Sequence, residues 1–323
     1  MAILNNKSII FILSGIPELE DHQNYLAFPL CLLYVIAFLG NFTILMLIRT
    51  AESLHQPMYI LLAMLALTDV GVSLTTLPTV LGIFWFDHYE IQLDLCLTQM
   101  YFLHTFAAME SGVLVAMAVD RLIAIRDPLR YSSILTNVVI GKIALVIALR
   151  GLFVVFPIPF LTRRFPFNRS HLLSHSYCLH QDVIRIAGAD TKLNSLYGLV
   201  AVLMTKGVDS MFIILSYILI LKAVLNIKAN EAQMKAFSTC VCHICAVLLF
   251  YIPLIGLSVV HRFGKNASHL IPILMADIYL LFPPVINPII YSIKTKQIRE
   301  QIVKIFMRHK LQTKRPEIAV LKV

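Results

Sequence analysis

Apolar residues run along this chain in long, nearly unbroken stretches, and polar residues gather between them. Seven stretches stand out, near 26–48, 57–83, 96–119, 139–161, 196–225, 238–260 and 270–293. Each is long enough to cross a bilayer as a helix, which takes about 20 residues. The short alternation of a membrane β-strand is missing, and a helix satisfies its own backbone groups in hydrocarbon. The pattern predicts an all-α membrane protein: a seven-transmembrane helix bundle over 26–293, an extracellular tail at 1–25 and a cytoplasmic segment at 294–323. In that last segment Ile298, Ile302, Ile305 and Phe306 form a stripe between Lys and Arg side chains, which predicts a short amphipathic helix on the inner leaflet, against membrane lipid. The run Ile9–Leu13 is too short, and lacks the basic flank, for a cleaved signal peptide, so the first span is expected to direct insertion.

Composition strengthens this reading. Of 323 residues, 59% are hydrophobic and 14% charged, and the mean hydropathy is +0.80. A soluble domain of this length could not hide so much apolar surface. The net charge of +9 is unevenly placed. With the N-terminus outside, the inner segments collect Arg121, Arg126, Arg130 and a dense tail cluster from Lys294 to Lys322, and the outer loops hold fewer cations. The positive-inside rule then gives N-out and C-in, and the charge belongs to the inner leaflet rather than to nucleic acid.

Cysteines and sequons fit the same orientation. Cys96 opens the third span and Cys178 lies in the long 162–195 loop, so both face the oxidising side, where a bridge can persist. Cys31, Cys240, Cys242 and Cys245 fall within spans and read as packing residues; a helix cannot wrap the Cys-x-Cys-His run at 240–243 around one zinc ion. Asn6 begins a glycosylation sequon and is the one expected to be modified, on accessibility; Asn168 and Asn266 also begin sequons on outer loops, and the sequon at Asn41 is mid-span and should stay unmodified. A loop as long as 162–195 is usually functional; tethered by a disulfide, it is expected to lie over the bundle as a lid.

Charge inside the spans points to function. Asp120 and Arg121 end the third span, a costly position that suggests a switch at the inner face. Pro288 weakens the helix around it, which lets the inner half of the seventh span move. Tyr251, Ile255, Ser258 and Arg262 are spaced by three or four along the sixth span. Arg262 near the outer end could clasp a carboxylate through paired hydrogen bonds, with Ser258 one turn deeper; the alternative is an arginine snorkelling at a helix end. Lys206 lies deep in the fifth span. It is read either as an ion-pair partner of Asp209 three residues on, or as a cation at a pocket floor. Asp69 and Glu110 form a buried acidic set that needs a cation, or else a protonated, water-linked network.

Several runs carry a family resemblance. They are Leu54-His55-Gln56-Pro57-Met58-Tyr59, Met117-Ala118-Val119-Asp120-Arg121, Lys235-Ala236-Phe237-Ser238-Thr239-Cys240 and Pro283-Pro284-Val285-Ile286-Asn287-Pro288-Ile289-Ile290-Tyr291. With them the chain resembles an olfactory receptor, within the rhodopsin-like G-protein-coupled receptors. The runs at 174–182, 253–263 and 277–281 are similar to class I olfactory receptors, in the subgroup that senses carboxylic acids. The resemblance implies that Arg262 and Ser258 hold the acid of a small odorant, with His104, His180 and Gln181 completing the polar end. Phe106, Ala108, Val155, Ile158, Val202 and Ile255 then size its tail. It implies a sodium ion at Asp69 and Glu110, with Asn287. It implies a switch of Asp120, Arg121, Tyr217, Asn287, Pro288 and Tyr291, framed by Ser216 and Lys235–Cys240, that opens toward a stimulatory heterotrimeric G protein and raises cyclic AMP. Two positions depart from the family: Leu122 stands where Asp-Arg-Tyr has tyrosine, and Arg126 where Ala-Ile-Cys has cysteine, which puts basal activity and coupling in question.

Rival classes fit less well. A non-olfactory receptor for a lipid or peptide does not account for the Pro-Met-Tyr and Lys-Ala-Phe-Ser-Thr-Cys runs. A transporter would favour paired repeats or broken helices around a central site. An enzyme would need a nucleophile and base together in a polar cleft, and the sequence offers none.

Overall fold

A computed structural model describes residues 9–15, 23–167, 171–227, 230–263 and 270–313. Within it the side chains at 23, 24, 26, 230–232, 235, 236, 239, 258–263, 270, 272 and 305–313 lie outside the description. The described helices are α1 (Gln23–Thr50), α2 (Pro57–Phe86), α3 (Leu93–Arg126), α4 (Tyr131–Ile134), α5 (Asn137–Val155), α6 (Pro157–Arg163), α7 (His180–Arg185), α8 (Lys192–Val202), α9 (Val208–Leu225), α10 (Asn230–Phe263), α11 (Leu270–Lys294) and α12 (Lys296–Thr313). Three short strands are β1 (Ile10–Leu13), β2 (Glu90–Gln92) and β3 (Leu172–Leu173).

All seven apolar stretches are helices long enough to cross a membrane. The fourth span joins α5 to α6, and the fifth joins α8 to α9 through a π-helical turn at Leu203–Gly207. Large apolar side chains cover the flanks, among them Phe28, Phe153 and Met211, each 70% exposed. Only hydrocarbon tolerates such a surface. Inside, one apolar cluster runs through the bundle, and smaller ones close its two ends.

Local chemistry fixes where helices touch. Pro288 has no N–H to give the Pro284 carbonyl one turn earlier. Asn41 supplies the missing donor from α1, at 2.8 Å. Beside it a methyl on Gly40 would stand 2.8 Å from Pro288 Cγ, so glycine sets the close approach of α1 and α11. Asn41 is 1% exposed and its amide is committed, in keeping with a sequon that should stay unmodified.

One end of the bundle carries a cap. β1 is its middle strand, antiparallel to β2 (Phe11 opposite Ile91) and parallel to β3 (Leu13 opposite Leu173). Phe11 and Leu13 face inward and are buried, and the Phe11 ring meets Phe167 edge-on at 5.0 Å. Residues 10–13 of the N-terminal segment are built into this cap as β1. Its alternation is only four residues long, and its partners lie far away in sequence. Cys96 and Cys178 are disulfide-bonded, Cα atoms 5.5 Å apart. Gln99, one turn along α3, accepts from the Cys178 N–H at 2.8 Å and donates to the Thr75 carbonyl on α2.

Candidate functional site

Beneath the disulfide-bonded loop lies a cavity of about 540 Å³. That size suits a small organic molecule. Of the residues the sequence singled out, His104, Ala108, Val155, Ile158, His180, Gln181, Val202 and Lys206 line it. Two do not. Ile255 is 57% exposed on the flank of α10, and the cavity is lined there by Leu254 and Leu257. The face that begins at Tyr251 therefore turns through 254 and 257, not 255. Phe106 lines a separate groove between α2 and α3, against Gly71 and Phe102. The side chains of Ser258 and Arg262 lie outside the described residues. Sequence reasoning missed His175, Tyr177 and Tyr279, which also line the cavity.

The lid is ordered by buried polar groups. Asp182 accepts from the Ser174 N–H at 2.5 Å and from Arg185 at 2.8 Å, and it meets His175 Nδ1 at 3.2 Å. Burial alone would raise its carboxyl, but His175, Arg185 and the Ser174 N–H outweigh it and hold the group below the ordinary carboxylate value. His180 Nε2 bonds Asn194 Oδ1 at 2.9 Å, and Asn194 in turn donates to Thr162. Burial pushes the His180 imidazole below its usual pKa, against the opposing bond to Asn194, so the ring is neutral near pH 7. Its ring sits against Gly198, where a methyl would come within 2.6 Å.

Lys206 does not pair with Asp209, which corrects one of its two sequence readings. Arg150, from the middle of the fourth span, takes both Asp209 oxygens at 2.5 and 2.6 Å. Ser111 donates to the same carboxylate at 2.7 Å and bonds the Tyr251 hydroxyl at 2.8 Å. The π-helical turn inserts an extra residue between Lys206 and Asp209's helix, which spoils the expected i, i+3 register. Lys206 instead faces the cavity and donates to the Tyr279 hydroxyl at 2.6 Å. Sequence reasoning missed Arg150, whose position in mid-span was the signal that could have found it.

The olfactory receptor family profile matches residues 30–309. The chain belongs to the olfactory receptor family. It is 55% identical to human olfactory receptor 51G2 over 93% of this chain and 95% of that protein. It is likewise 55% identical to human olfactory receptor 51L1 over 92% of this chain and 95% of that one, and 51% identical to human olfactory receptor 51E1 over 92% and 93%. The molecule is thus a class I-like olfactory receptor, a multi-pass plasma-membrane protein of a non-enzymatic family that takes odorants and G proteins as partners.

At the end of the receptor opposite the lid, Asp120 and Arg121 are both buried and stand 3.8 Å apart. Tyr131 of α4, which the sequence did not flag, donates to Asp120 at 2.6 Å. Burial and that carboxylate both push the Tyr131 phenol above its usual pKa. Arg121 is within electrostatic reach of Tyr59, Tyr217, Cys240, His243 and Tyr291. Tyr217 bonds His243 at 2.7 Å, and the Tyr291 hydroxyl is buried without a partner among the described residues. Leu122 packs with Ile125 against Ile220, Val224 and Cys240, so the site where the family has a phenol is an apolar contact here. The six expected switch residues do not form one cluster: Asn287 pairs with Asp69, at 3.1 Å, and Pro288 packs on Gly40.

Asp69 is fully buried, and Glu110 lies within its electrostatic reach. Asn287 Oδ1 is buried with no partner among the described residues. These are all oxygen donors, and an orphaned amide oxygen beside a carboxylate fits a hard cation. Among the described residues no group of three or more His, Cys, Asp or Glu side chains comes together as a metal site.

Proposed function

We propose that this receptor detects small carboxylate-bearing odorants and, on binding them, activates a stimulatory olfactory-type G protein and raises cyclic AMP. The observation that carries the reading is the cavity beneath the lid, which has a buried cation, Lys206, and the polar side chains of His104, His180 and Gln181 among many apolar residues. Buried donors in the wall reward an oxygen-bearing ligand, the apolar remainder rewards an alkyl chain, and the resemblance to acid-sensing receptors makes the head group a carboxylate. Leu254 and Leu257 bring α10 to the cavity, and residue 258 follows Leu254 by one turn of that helix. On this reading Ser258 and Arg262 hold the carboxylate at the lid end.

The lid end faces outside and the Asp120–Arg121 end faces the cytoplasm, with residues 1–25 extracellular, 294–323 cytoplasmic and Asn6, which lies outside the described residues, glycosylated. Binding beneath the lid favours the open floor over the closed one by whatever the ligand gains in the open form. In the closed floor Arg121 is buried beside Asp120; opening frees it, with Tyr217 and Tyr291, for a G-protein helix. Asp69, Glu110 and Asn287 hold a sodium ion in the resting state.

A cyclic AMP reporter in cells that display the receptor tests this. Medium-chain acids should activate the wild type, and Arg262→Ala should raise the half-maximal concentration about tenfold or more, the loss of one charge-assisted pair. Equal responses of both receptors to acids would remove the anion clamp.

A further inference from the structure

The cavity is polar at both ends. His180 and Gln181 stand at the lid; Lys206 stands at the floor and is 7% exposed. Its ammonium donates to the Tyr279 hydroxyl at 2.6 Å and lies 4.9 Å from the Tyr279 ring centroid and 5.7 Å from that of Phe250. An ammonium has three N–H donors, and the phenol takes one. His104 opens into the same space, and its Nε2 is buried without a partner among the described residues. It lies within electrostatic reach of both Lys206 and His180. Buried polar atoms are almost always satisfied, so an orphan lining a cavity points to a ligand atom.

The two ends are well separated. The His180 ring abuts Gly198, and Lys206 comes eight residues later on the same span. A rise of 1.5 Å per residue puts about 12 Å between those levels. A short acid held at the lid leaves the floor untouched.

We propose that Lys206, with His104, forms a second recognition point for an uncharged oxygen at the far end of the odorant, so that the preferred ligands are ω-hydroxy carboxylic acids. This rests on the carboxylate reading for the lid end. Charge decides the nature of the second group. Glu110 is buried and within electrostatic reach of Lys206 and Asp69. The ammonium therefore already has an acidic group, Glu110, within reach, and another carboxylate would add an anion in a low-dielectric site. A hydroxyl adds none. It accepts from Lys206 and, being donor and acceptor at once, bonds His104 in either tautomer.

The test is a matched set of one chain length: the plain alkanoic acid, its ω-hydroxy acid, the α,ω-diacid and the α,ω-diol. Cyclic AMP responses are compared in wild type and Lys206→Met at equal surface display. In the wild type the ω-hydroxy acid should act at about tenfold lower concentration than the plain acid, the effect of one hydrogen bond to a charged group. In Lys206→Met the ω-hydroxy acid loses its advantage while the plain acid changes little, so the gap between them closes. Equal potency in the wild type, a gap that survives in Lys206→Met, or a diacid that outperforms the hydroxy acid overturns the proposal. Should Lys206→Met not reach the surface, Tyr279→Phe, which removes the phenol that steers the ammonium, should narrow the gap; an unchanged gap there also overturns it. If the diol activates in a Lys206-dependent way and no acid does, the carboxylate reading falls and the floor site stands. If acids act without a hydroxyl advantage, the floor site falls alone. A displayed receptor silent to the whole set ends both.

Discussion

Single residues decide the polar interior of this receptor, and each works through a partner on another span. Arg150 and Asp209 illustrate this. The carboxylate is almost fully buried, and the guanidinium binds both its oxygens. Removing one member leaves the other charge uncompensated, a loss of about 3–5 kcal/mol for a buried pair. Arg150→Met should therefore cut surface display and lower the thermal unfolding midpoint in detergent by several degrees. Adding Asp209→Leu should recover most of that loss, because the pair couples non-additively. If the double variant is less stable than the single, the pair is not what holds these spans. Arg150 was not singled out from the sequence, although it is a charge in mid-span. That Asp209 was its partner, rather than that of Lys206, followed from a helix irregularity that no local residue pattern announces.

At the scale of elements, the lid shows how a loop becomes a fixed wall. The disulfide anchors it to α3, β3 pairs it with β1, and Asp182 gathers Ser174, His175 and Arg185. The folded lid holds the Asp182 carboxyl below its ordinary value. Its stabilisation is therefore complete above the unfolded pKa of about 3.9 and is lost as pH falls through the lower folded value. Hydrogen exchange of amides 174–185, corrected for intrinsic rates, should stay protected from neutral pH to about 4 and open below it. Protection lost already near pH 6 would show that a histidine, not Asp182, controls the lid. The long loop and its bridge were readable from the sequence. β1 was not, because alternation over four residues carries little information until its two partner strands are in place.

For the whole molecule, the arrangement couples two ends of a bundle. The cavity lies under the lid, Asp120 and Arg121 lie at the opposite end, and the Arg150–Asp209–Ser111–Tyr251 set links the third, fourth, fifth and sixth spans between them. Signalling then requires the lid end outside. An epitope placed at residue 1 should be stained on intact cells, and one after residue 323 only after permeabilisation. The reverse staining, or both ends on one side, is incompatible with odorant entry beneath the lid and G-protein contact at the floor.

The sequence by itself determined the seven membrane helices, the disulfide and the family, because length of apolar run, redox side and motif spacing are local or additive signals. The family resemblance also named seven of the residues that line the cavity, His104, Ala108, Val155, Ile158, His180, Gln181 and Val202. Only the tertiary structure decided which charges meet. Lys206 turned to the cavity, Asp209 to Arg150, Ile255 to the flank and Phe106 to a separate groove. Those outcomes depend on the rotation of whole helices about their axes. Rotation is set by packing of all neighbours at once, with a π-helical turn in the fifth span shifting the register.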